Sequence, residues 1–389
     1  MIKTDVLVVG AGAAGSALGF LLKTAGKDTL LLEMQDARTK SKLCAGGLET
    51  RAQKAFPSVF GETVDEAGLA PIRLEAVYVR CEDYELRKTL SRRPPTGQAT
   101  PPPEPKGFGS YLRDVLRSGG KMMERLVLRH ALGLQPDESF TIQVLPRKRL
   151  DDYILGRYLS AGGKLLDHAT VRSVDEENGI AHCVNLATKE TFEVQFQTLV
   201  GADGAASIVR RLLDGRRQRA ALTLETDVPL IAKEAVIKFT KTARGYCWYI
   251  PRGEDATVGC GYHGLGLDAG DICRGRLAAF CAELGLAMPS KLRGALIPVG
   301  DDVLLRAGKN AFLIGDAAGL IDVLTGGGIH YALLSAKALA DALTGGEDYE
   351  KAMRPHVNFV KKNADNTGLF YTATCNFVAR LGTSMKDRE

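Results

Sequence analysis

The chain opens with the pattern of a buried strand, and the pattern of an amphipathic helix follows. Residues 6–9 read VLVV, a continuous apolar run typical of a parallel strand that is covered on both faces. Beyond a glycine-rich turn, Leu18 and Leu22 recur at helical spacing. A second apolar run at residues 29–32 ends at Glu33. The pattern therefore predicts a β–α–β unit at the start of the chain.

The turn of this unit carries Gly10, Gly12 and Gly15 in the GxGxxG spacing of dinucleotide-binding proteins. Glycine there lets the backbone turn sharply and approach a pyrophosphate, whose charge then lies at the N-terminus of the following helix. Glu33, about 20 residues further on, is placed to accept hydrogen bonds from a ribose diol. The register of all these parts predicts dinucleotide binding, with an ordinary β–α–β turn as the alternative. The motif alone does not distinguish FAD from NAD.

Two later segments repeat the sequence of strand, acidic glycine turn and helix. Residues 198–211 read TLVGADGAASIVRR, and residues 309–343 contain a strand, Gly315 and Asp316, and a glycine triplet at 326–328 that opens a long helix. Asp316 is a candidate for binding a ribityl or ribose hydroxyl. The triplet would expose backbone N–H groups at a helix N-terminus, where partial negative charge such as that of a reduced flavin is stabilised.

The order of these pieces, with PRKRLDDYIL and its Arg147 between them, resembles the FAD-dependent aromatic-hydroxylase superfamily. Two stretches resemble the geranylgeranyl reductase family specifically, including its CbrA-like members. Residues 41–49 read SKLCAGGLE, similar to the K-x-C-G-G segment of that family. Residues 245–262 read GYCWYIPRGEDATVGCGY, similar to its Y-x-W-x-F-P signature, with Ile250 in place of the usual Phe.

The resemblance implies an α/β protein, α+β overall, with a discontinuous Rossmann-like FAD-binding domain, an antiparallel-sheet substrate domain and C-terminal helices. Residues 71–90 and 228–262 have β character and are expected to form the sheet that roofs the flavin. A hairpin is predicted at residues 179–196. The expected boundaries are 1–70, 145–215 and 300–345 for the FAD-binding domain, 71–144 and 216–299 for the substrate domain, and 346–389 for a tail of one or two helices.

The stretch of about residues 94–139 departs from the family pattern. Its proline-rich first part is predicted to be a linker or loop. The second part, SYLRDVLRSGGKMMERLVLRH, spaces apolar and basic residues as in a basic amphipathic helix, which can lie on an anionic membrane surface or cover a lipid pocket. A solvated helix that packs on its own domain is the alternative, because Gly119 and Gly120 would weaken a single helix. The tail is expected to pack on the FAD-binding domain, with membrane contact as the alternative.

Composition narrows the class of protein. With 389 residues, 45% of them hydrophobic and 25% charged, the chain is predicted to be globular with two or three domains. A formal net charge of +5 is too small to indicate a nucleic-acid partner. Eight cysteines without a CxxC pair are interpreted as reduced thiols of a cytoplasmic protein. A strand at the N-terminus leaves no room for a signal peptide, so membrane contact is expected only peripherally, at the inner face.

The family resemblance implies reduction of C=C bonds in a polyprenyl chain, of geranylgeranyl type, on a lipid or quinone, with hydride from reduced flavin. A flavin monooxygenase acting on an aromatic or quinone is one alternative. A non-catalytic prenyl-lipid carrier is another, which the intact glycine motifs disfavour. Residues 264–270 (GLGLDAG) lack β–α–β context and are predicted to be a loop. With no second nucleotide domain, the electrons would come from NADPH that docks transiently, or from a redox partner such as a ferredoxin or a quinol.

An unactivated alkene that receives hydride also needs a proton donor and a pocket that excludes water. The candidate catalytic residues are Cys44, Tyr246 and Trp248: Cys44 or Tyr246 as acid, or Tyr246 with Trp248 as an aromatic wall. Strand alternation directs Cys247 to the other face, and Lys42 is expected near the cofactor. The six histidines show no metal spacing. The predicted cofactor-binding residues are Gly10, Gly12, Ala13, Ala14, Gly15, Glu33, Met34, Cys44, Ala45, Gly46, Gly47, Arg147, Val171, Asp203, Gly204, Gly315, Asp316, Gly327, Gly328 and Ile329.

Overall fold

The computed structural model describes residues 1–90, 140–240, 245–264 and 268–385. The predicted linker and basic helix at 94–139 therefore lie outside the described residues. The described helices are α1 Ala13–Thr24, α2 Thr50–Phe60, α3 Arg147–Ser160, α4 Ile208–Asp214, α5 Ala269–Glu283, α6 Ile329–Leu343 and α7 Tyr349–Leu381. The described strands are β1 Ile2–Val9, β2 Thr29–Leu32, β3 Gly47–Glu49, β4 Ile72–Arg73, β5 Ala76–Cys81, β6 Tyr84–Thr89, β7 Ile142–Val144, β8 Lys164–Leu166, β9 Ala169–Asp175, β10 Ile180–Asn185, β11 Thr191–Gly201, β12 Ala220–Pro229, β13 Ala235–Phe239, β14 Tyr246–Pro251, β15 Asp255–Tyr262, β16 Arg293–Pro298, β17 Ala311–Leu313 and β18 Thr383–Ser384.

A seven-stranded sheet forms the first half of the fold. Strands β8, β2, β1, β11 and β17 lie side by side and all run parallel. The apolar runs that predicted β1 and β2 are buried on both faces, as a parallel sheet between helices requires. The predicted hairpin at 179–196 is confirmed, because β10 and β11 pair antiparallel, and β9 extends it. The mixed α/β fold class is thus confirmed.

The carboxyl ends of the parallel strands are joined by backbone hydrogen bonds at one edge of this sheet. Gly10 N donates to Leu32 O at 2.7 Å, and Ala202 N donates to Val9 O at 2.8 Å. Ile314 N likewise donates to the carbonyl at the end of β11 at 3.0 Å. The three glycine turns predicted from the sequence therefore meet at one edge, which is where open α/β sheets bind ligands.

A second sheet has eight strands in the order β16-β12-β15-β14-β13-β5-β6-β18. Its strands pair antiparallel, as predicted, except that β13 and β5 run parallel. These two strands are far apart in the chain, so local sequence patterns do not predict how they pair. Helix α5 covers one face, where Phe280 packs among residues that include Tyr249 and Val258. The other face carries Val77 and Trp248 in an apolar cluster with β7. A small third sheet, β3-β7-β4, lies beside it.

The described part of the tail forms one helix, α7, followed by the short strand β18, and α7 contacts both halves of the protein. Met353 and Val360 belong to the core cluster of the first sheet, as expected for the tail. Tyr371 and Val378, further along, pack instead against the second sheet, so the expectation of packing on the FAD-binding domain holds only for the first part of α7. Among the described helices, none combines the length and apolar character needed to cross a membrane.

The expectation that every cysteine is a free thiol is wrong for one pair. Cys81 at the end of β5 and Cys375 in α7 form a disulfide with a Cα–Cα distance of 5.2 Å. They are 294 residues apart, so no local spacing signalled the bond. The predicted loop at 264–270 is also shorter than expected, because α5 already begins at Ala269; residues 265–267 lie outside the described part of the chain.

Candidate active site

The glycine turn after β1 leaves no room for side chains at two positions and open space at a third. Gly10 has φ +104°, and a Cβ there would lie 2.5 Å from Ala202 O. A Cβ on Gly15 would lie 1.9 Å from Gly10 O, whereas one on Gly12 would meet nothing within 4 Å. Gly12 precedes α1, whose N-terminus has no side-chain cap. The first turn, with Ala13 and Ala14, thus presents helix N–H groups beside open space, which fits a pyrophosphate.

Glu33 points back to this turn. Its Oε2 accepts hydrogen bonds from Ala11 N at 3.0 Å and from Lys40 Nζ at 2.7 Å, and its Oε1 accepts from Gln35 N at 3.1 Å. The carboxylate is buried and each oxygen keeps acceptor capacity for a hydroxyl. Lys40 was not predicted, since nothing in its sequence context distinguishes it from a surface lysine. Met34, the next predicted residue, is exposed beside the site.

Val171 differs from the other predicted residues because its side chain lies in the hydrophobic core. It belongs to β9, whose first residue, Ala169, donates its N–H to Glu33 O at 2.8 Å. The strand is therefore next to the glutamate, and Val171 itself is buried within the sheet.

Asp203, in the turn after β11, caps a helix and keeps one free oxygen. Its Oδ2 accepts from Ile208 N at 2.7 Å and Val209 N at 3.3 Å at the start of α4. Its Oδ1 is buried and accepts no hydrogen bond from the described residues. Burial raises the pKa of this carboxyl above its ordinary value. Gly204 follows with φ +81°. An orphaned buried oxygen here is a group that a ligand hydroxyl would satisfy.

Asp316 lies where β17, α1 and α6 meet. Gly315 N donates to Ser335 Oγ at 3.0 Å, and a Cβ on Gly315 would lie 3.1 Å from Ala14 Cβ. The Asp316 carboxylate accepts a hydrogen bond from Lys42 Nζ at 2.6 Å, which places Lys42 near the predicted cofactor residues. A Cβ on Gly328 would lie 2.9 Å from Asp316 Oδ1.

The start of α6 is open to an anion as well. Gly328 occupies the N-cap position without a side-chain cap, and Gly327 and Ile329 flank it. Gly327 N donates to Thr325 Oγ1 at 3.2 Å, within the loop that leads to the helix. The uncapped terminus fits a ligand edge that carries partial negative charge.

Cys44 lies near a buried arginine. Cys44 Sγ accepts a hydrogen bond from Gly46 N at 3.4 Å, and the thiol lies near enough to the Arg147 guanidinium to act on its pKa. Arg147 begins α3 and donates to Asp151 Oδ1 at 2.8 Å. Burial opposes the arginine charge, yet Asp151 and Cys44 together hold the pKa of Arg147 above its ordinary value. A thiolate formed at Cys44 would therefore have a cation beside it.

Of the two glycines that follow Cys44, only Gly46 approaches protein backbone. Gly46 has φ +80°, and a Cβ there would lie 2.3 Å from Leu145 O. Leu145 N donates to Gly46 O at 2.9 Å. Gly47, by contrast, is exposed with open space at its Cβ position. Ala45 packs against the apolar cluster of the second sheet. Gly46 thus anchors the Cys44 segment to the chain at Leu145.

Tyr246 and Trp248 extend from β14 on the same face, and Cys247 lies on the opposite face against α5, as predicted. The two rings are 5.8 Å apart. Tyr246 Oη donates to Thr325 O at 2.5 Å, and burial raises the pKa of this hydroxyl. Trp248 lies over Gly259, where a Cβ would be 2.2 Å from the indole. Gly259 was missed, although the VGCG sequence is a signal for a ring that lies flat on a strand.

The site therefore combines anion-binding helix ends, hydroxyl acceptors, and a thiol with an adjacent cation. Cys44 is also close enough to Tyr246 to affect the pKa of that hydroxyl. Ala45, next to Cys44, packs in the same apolar cluster as Tyr246, which reaches the loop before α6 through its hydroxyl, while Glu33 lies at the glycine turn. Such an arrangement suits a long cofactor with a proton donor at one end.

A family model described as FAD binding domain matches residues 3–260. A menaquinone reductase from Mycobacterium tuberculosis is 26% identical over 362 residues, which cover 88% of this chain and 76% of that one. A digeranylgeranylglycerophospholipid reductase from Methanosphaera stadtmanae is 24% identical over 387 residues, covering 93% and 84%. A geranylgeranyl bacteriochlorophyll reductase-like structure from Thermoplasma acidophilum is 20% identical with a TM-score of 0.67, covering 98% and 89%. Solved monooxygenases and brominases share this fold too, so likeness of fold does not separate reduction from oxygenation.

Proposed function

We propose, from the premise that this chain belongs to the FAD binding domain family, that it is an oxidoreductase which reduces C=C bonds in a polyprenyl chain of a lipid or quinone. The chain is an FAD-dependent oxidoreductase that resembles geranylgeranyl reductases, which confirms the family resemblance of the sequence. The relatives named for menaquinone and for digeranylgeranylglycerophospholipid both point to prenyl chains as the substrate class.

One observation carries the proposal: Ala45, the neighbour of Cys44, packs in the same apolar cluster as Tyr246 and Trp248, and Tyr246 Oη donates to Thr325 O in the loop before α6. Cys44 and Tyr246 come from the two stretches that resemble geranylgeranyl reductases. These stretches are about 200 residues apart in the chain, and the fold brings them to one place. A flavin monooxygenase gains no comparable support from a specific contact.

The residues present fit FAD. The glycine turn and α1 would hold the pyrophosphate, Glu33 the ribose, and Asp316 and Asp203 hydroxyl groups of the cofactor. The N-terminus of α6 would face the pyrimidine edge. Bound FAD in its reduced form would supply the hydride.

Cys44 is the proton donor in this proposal. Its Sγ–H proton goes to the alkene carbon that does not receive hydride, and the nearby Arg147 guanidinium stabilises the resulting thiolate. Cys44 is half-buried, so water can return the proton. Tyr246 suits this role less, because its hydroxyl already donates to Thr325 O and its pKa is raised. Tyr246 and Trp248 then form an apolar wall that keeps water from the alkene.

The flavin must itself be reduced by an electron donor before each turnover. We infer NADPH that docks transiently, with a ferredoxin-like protein or a quinol as alternative donors. Peripheral contact with a membrane surface would give access to a prenyl lipid.

The experiment first identifies the bound flavin and lipid and then measures whether the reduced protein turns that lipid over. The purified protein is analysed for its flavin and for any co-purifying lipid by mass spectrometry. That lipid and a geranylgeranyl phospholipid are then mixed anaerobically with the reduced protein. We expect flavin reoxidation and a product with added hydrogens. A product that forms only in air and carries oxygen-18 from dioxygen would instead identify a monooxygenase.

A further inference from the structure

Arg51 is a buried cation in the first turn of α2, outside the residues assigned above to FAD. Only 6% of the residue is exposed. Its Nη2 donates to Tyr331 Oη at 2.9 Å, and its Nη1 lies 3.7 Å from Asp322 Oδ2. The guanidinium also lies 5.0 Å from the ring centroid of Tyr331 and 5.3 Å from that of Phe359. The cation is therefore held on several sides within the core.

Asp322, the partner of Arg51, organises the loop that leads into α6. Asp322 N donates to Gly327 O at 3.0 Å, and Asp322 Oδ1 accepts from Leu324 N at 3.1 Å. Between these residues, Thr325 O accepts the hydroxyl of Tyr246. The loop of residues 322–328 is thus closed on itself, with the Arg51 ion pair on one side and Tyr246 on another.

Helix α2 also connects this loop to the Cys44 segment. Glu49, at the end of β3, accepts hydrogen bonds from Arg51 N and Ala52 N and so caps α2. Arg51 O is 3.1 Å from His330 Nδ1 in α6. Because Arg51 is buried and contacts both Asp322 in the loop and His330 in α6, we expect a change at Arg51 to act on the loop before α6.

We propose that Arg51 is a positioning residue: its ion pair with Asp322 holds the loop of residues 322–328 in the conformation that binds FAD, and the balance of the two buried charges sets the reduction potential of the bound flavin. The proposal rests on the placement of FAD at the N-terminus of α6 given above, and it does not depend on which substrate the enzyme reduces.

The ion pair is expected to affect two measurable quantities, the Kd for FAD and the reduction potential of the flavin. If loss of the ion pair leaves the loop competent only a tenth of the time, the Kd for FAD rises about tenfold. A buried cation near a group that gains negative charge on reduction favours the reduced state, and a buried anion opposes it. Removing Arg51 and removing Asp322 should therefore shift the potential in opposite directions, whereas merely loosening the fold would give both variants the same sign.

The experiment uses the full-length holoprotein and four variants: Arg51→Lys, Arg51→Met, Asp322→Asn and the double variant R51M/D322N. The FAD Kd is measured by flavin fluorescence, the potential by equilibration with a reference dye, and folding by thermal melting. Arg157→Met is the matched control, because Arg157 is likewise half-enclosed by aromatic rings and paired with Glu62, but in α3.

We expect Arg51→Met to weaken FAD binding and make the potential more negative, and Asp322→Asn to make it more positive. The double variant should return towards the parent potential, and Arg51→Lys should lie between parent and Arg51→Met. Arg157→Met should lower the melting temperature without moving the potential. If Arg51→Met fails to fold, Arg51→Lys and the double variant supply the same comparison. Unchanged Kd and potential, or shifts of one sign in both single variants, would overturn the proposal while leaving the alkene assay unaffected.

Discussion

Replacement of Cys44 by alanine should separate the two halves of the catalytic cycle. The change removes the thiol that accepts a hydrogen bond from Gly46 N and lies near the Arg147 guanidinium. Arg147 keeps its 2.8 Å hydrogen bond to Asp151, and Gly46 keeps its contact with Leu145. The local frame and the FAD site are therefore retained, and the cost in folding free energy should be about 1 kcal/mol or less.

The kinetic cost should be much larger than the structural one. A positioned general acid contributes roughly a hundredfold to ten-thousandfold in rate. At about 1.4 kcal/mol for each factor of ten, this corresponds to about 3 to 5 kcal/mol in the barrier for alkene reduction. Reduction of the flavin by its donor involves no proton from Cys44, so that step should keep the parent rate.

Anaerobic rapid mixing measures the two steps separately. Absorbance of the oxidised flavin reports its reduction, and its return on mixing with a prenyl substrate reports alkene reduction. Cys281→Ala is the control, because this thiol is buried on the far side of the second sheet, in the cluster that α5 covers. If Cys44→Ala is reoxidised by the alkene as fast as the parent, Cys44 is a packing residue and the assignment of the acid is wrong.

Three further predictions concern the cofactor site and stability. Gly10→Ala should prevent correct folding, because its Cβ would lie 2.5 Å from Ala202 O. Gly12→Ala should keep the melting temperature of the parent apoprotein but lose FAD, and flavin content and melting curves of the apoproteins compare the two. Cys375→Ser should lower the free energy of unfolding by about 2 to 4 kcal/mol in denaturant titrations without reductant, and added dithiothreitol should abolish the difference. Burial raises the pKa of Glu225 to about 7, so the folded protein binds this proton more tightly than the unfolded chain and loses about 3 kcal/mol of stability as pH rises from 4.5 to 7. Glu225→Gln should remove that part of the pH dependence, and an unchanged stability profile would contradict the assignment.

Features that depend on local periodicity were predictable. The apolar runs of β1 and β2 gave the parallel strands, and the end of β2 located Glu33. Alternation along β14 placed Tyr246 and Trp248 on one face and Cys247 on the other. In each case the relevant neighbours lie within a few residues in the chain, so the pattern contains the information.

Features that depend on distant contacts were not predictable from one sequence. Lys40 reaches Glu33 only because the chain folds back after β2, and Cys81 meets Cys375 only when α7 lies on the second sheet. Arg51 looks like an ordinary residue of an amphipathic helix until Asp322 is brought beside it. Such pairs are specified by the packing of whole elements, and no spacing rule describes them.

Anaerobic single turnover measures directly whether this flavoprotein reduces prenyl C=C bonds. The protein is reduced chemically, mixed with a geranylgeranyl lipid or a menaquinone without dioxygen, and the recovered lipid is analysed by mass spectrometry. We expect the flavin to be reoxidised and the lipid to gain hydrogen across a double bond, with one mole of lipid reduced for each mole of flavin reoxidised. A flavin that stays reduced with every prenyl substrate, while the lipid returns unchanged, would contradict it.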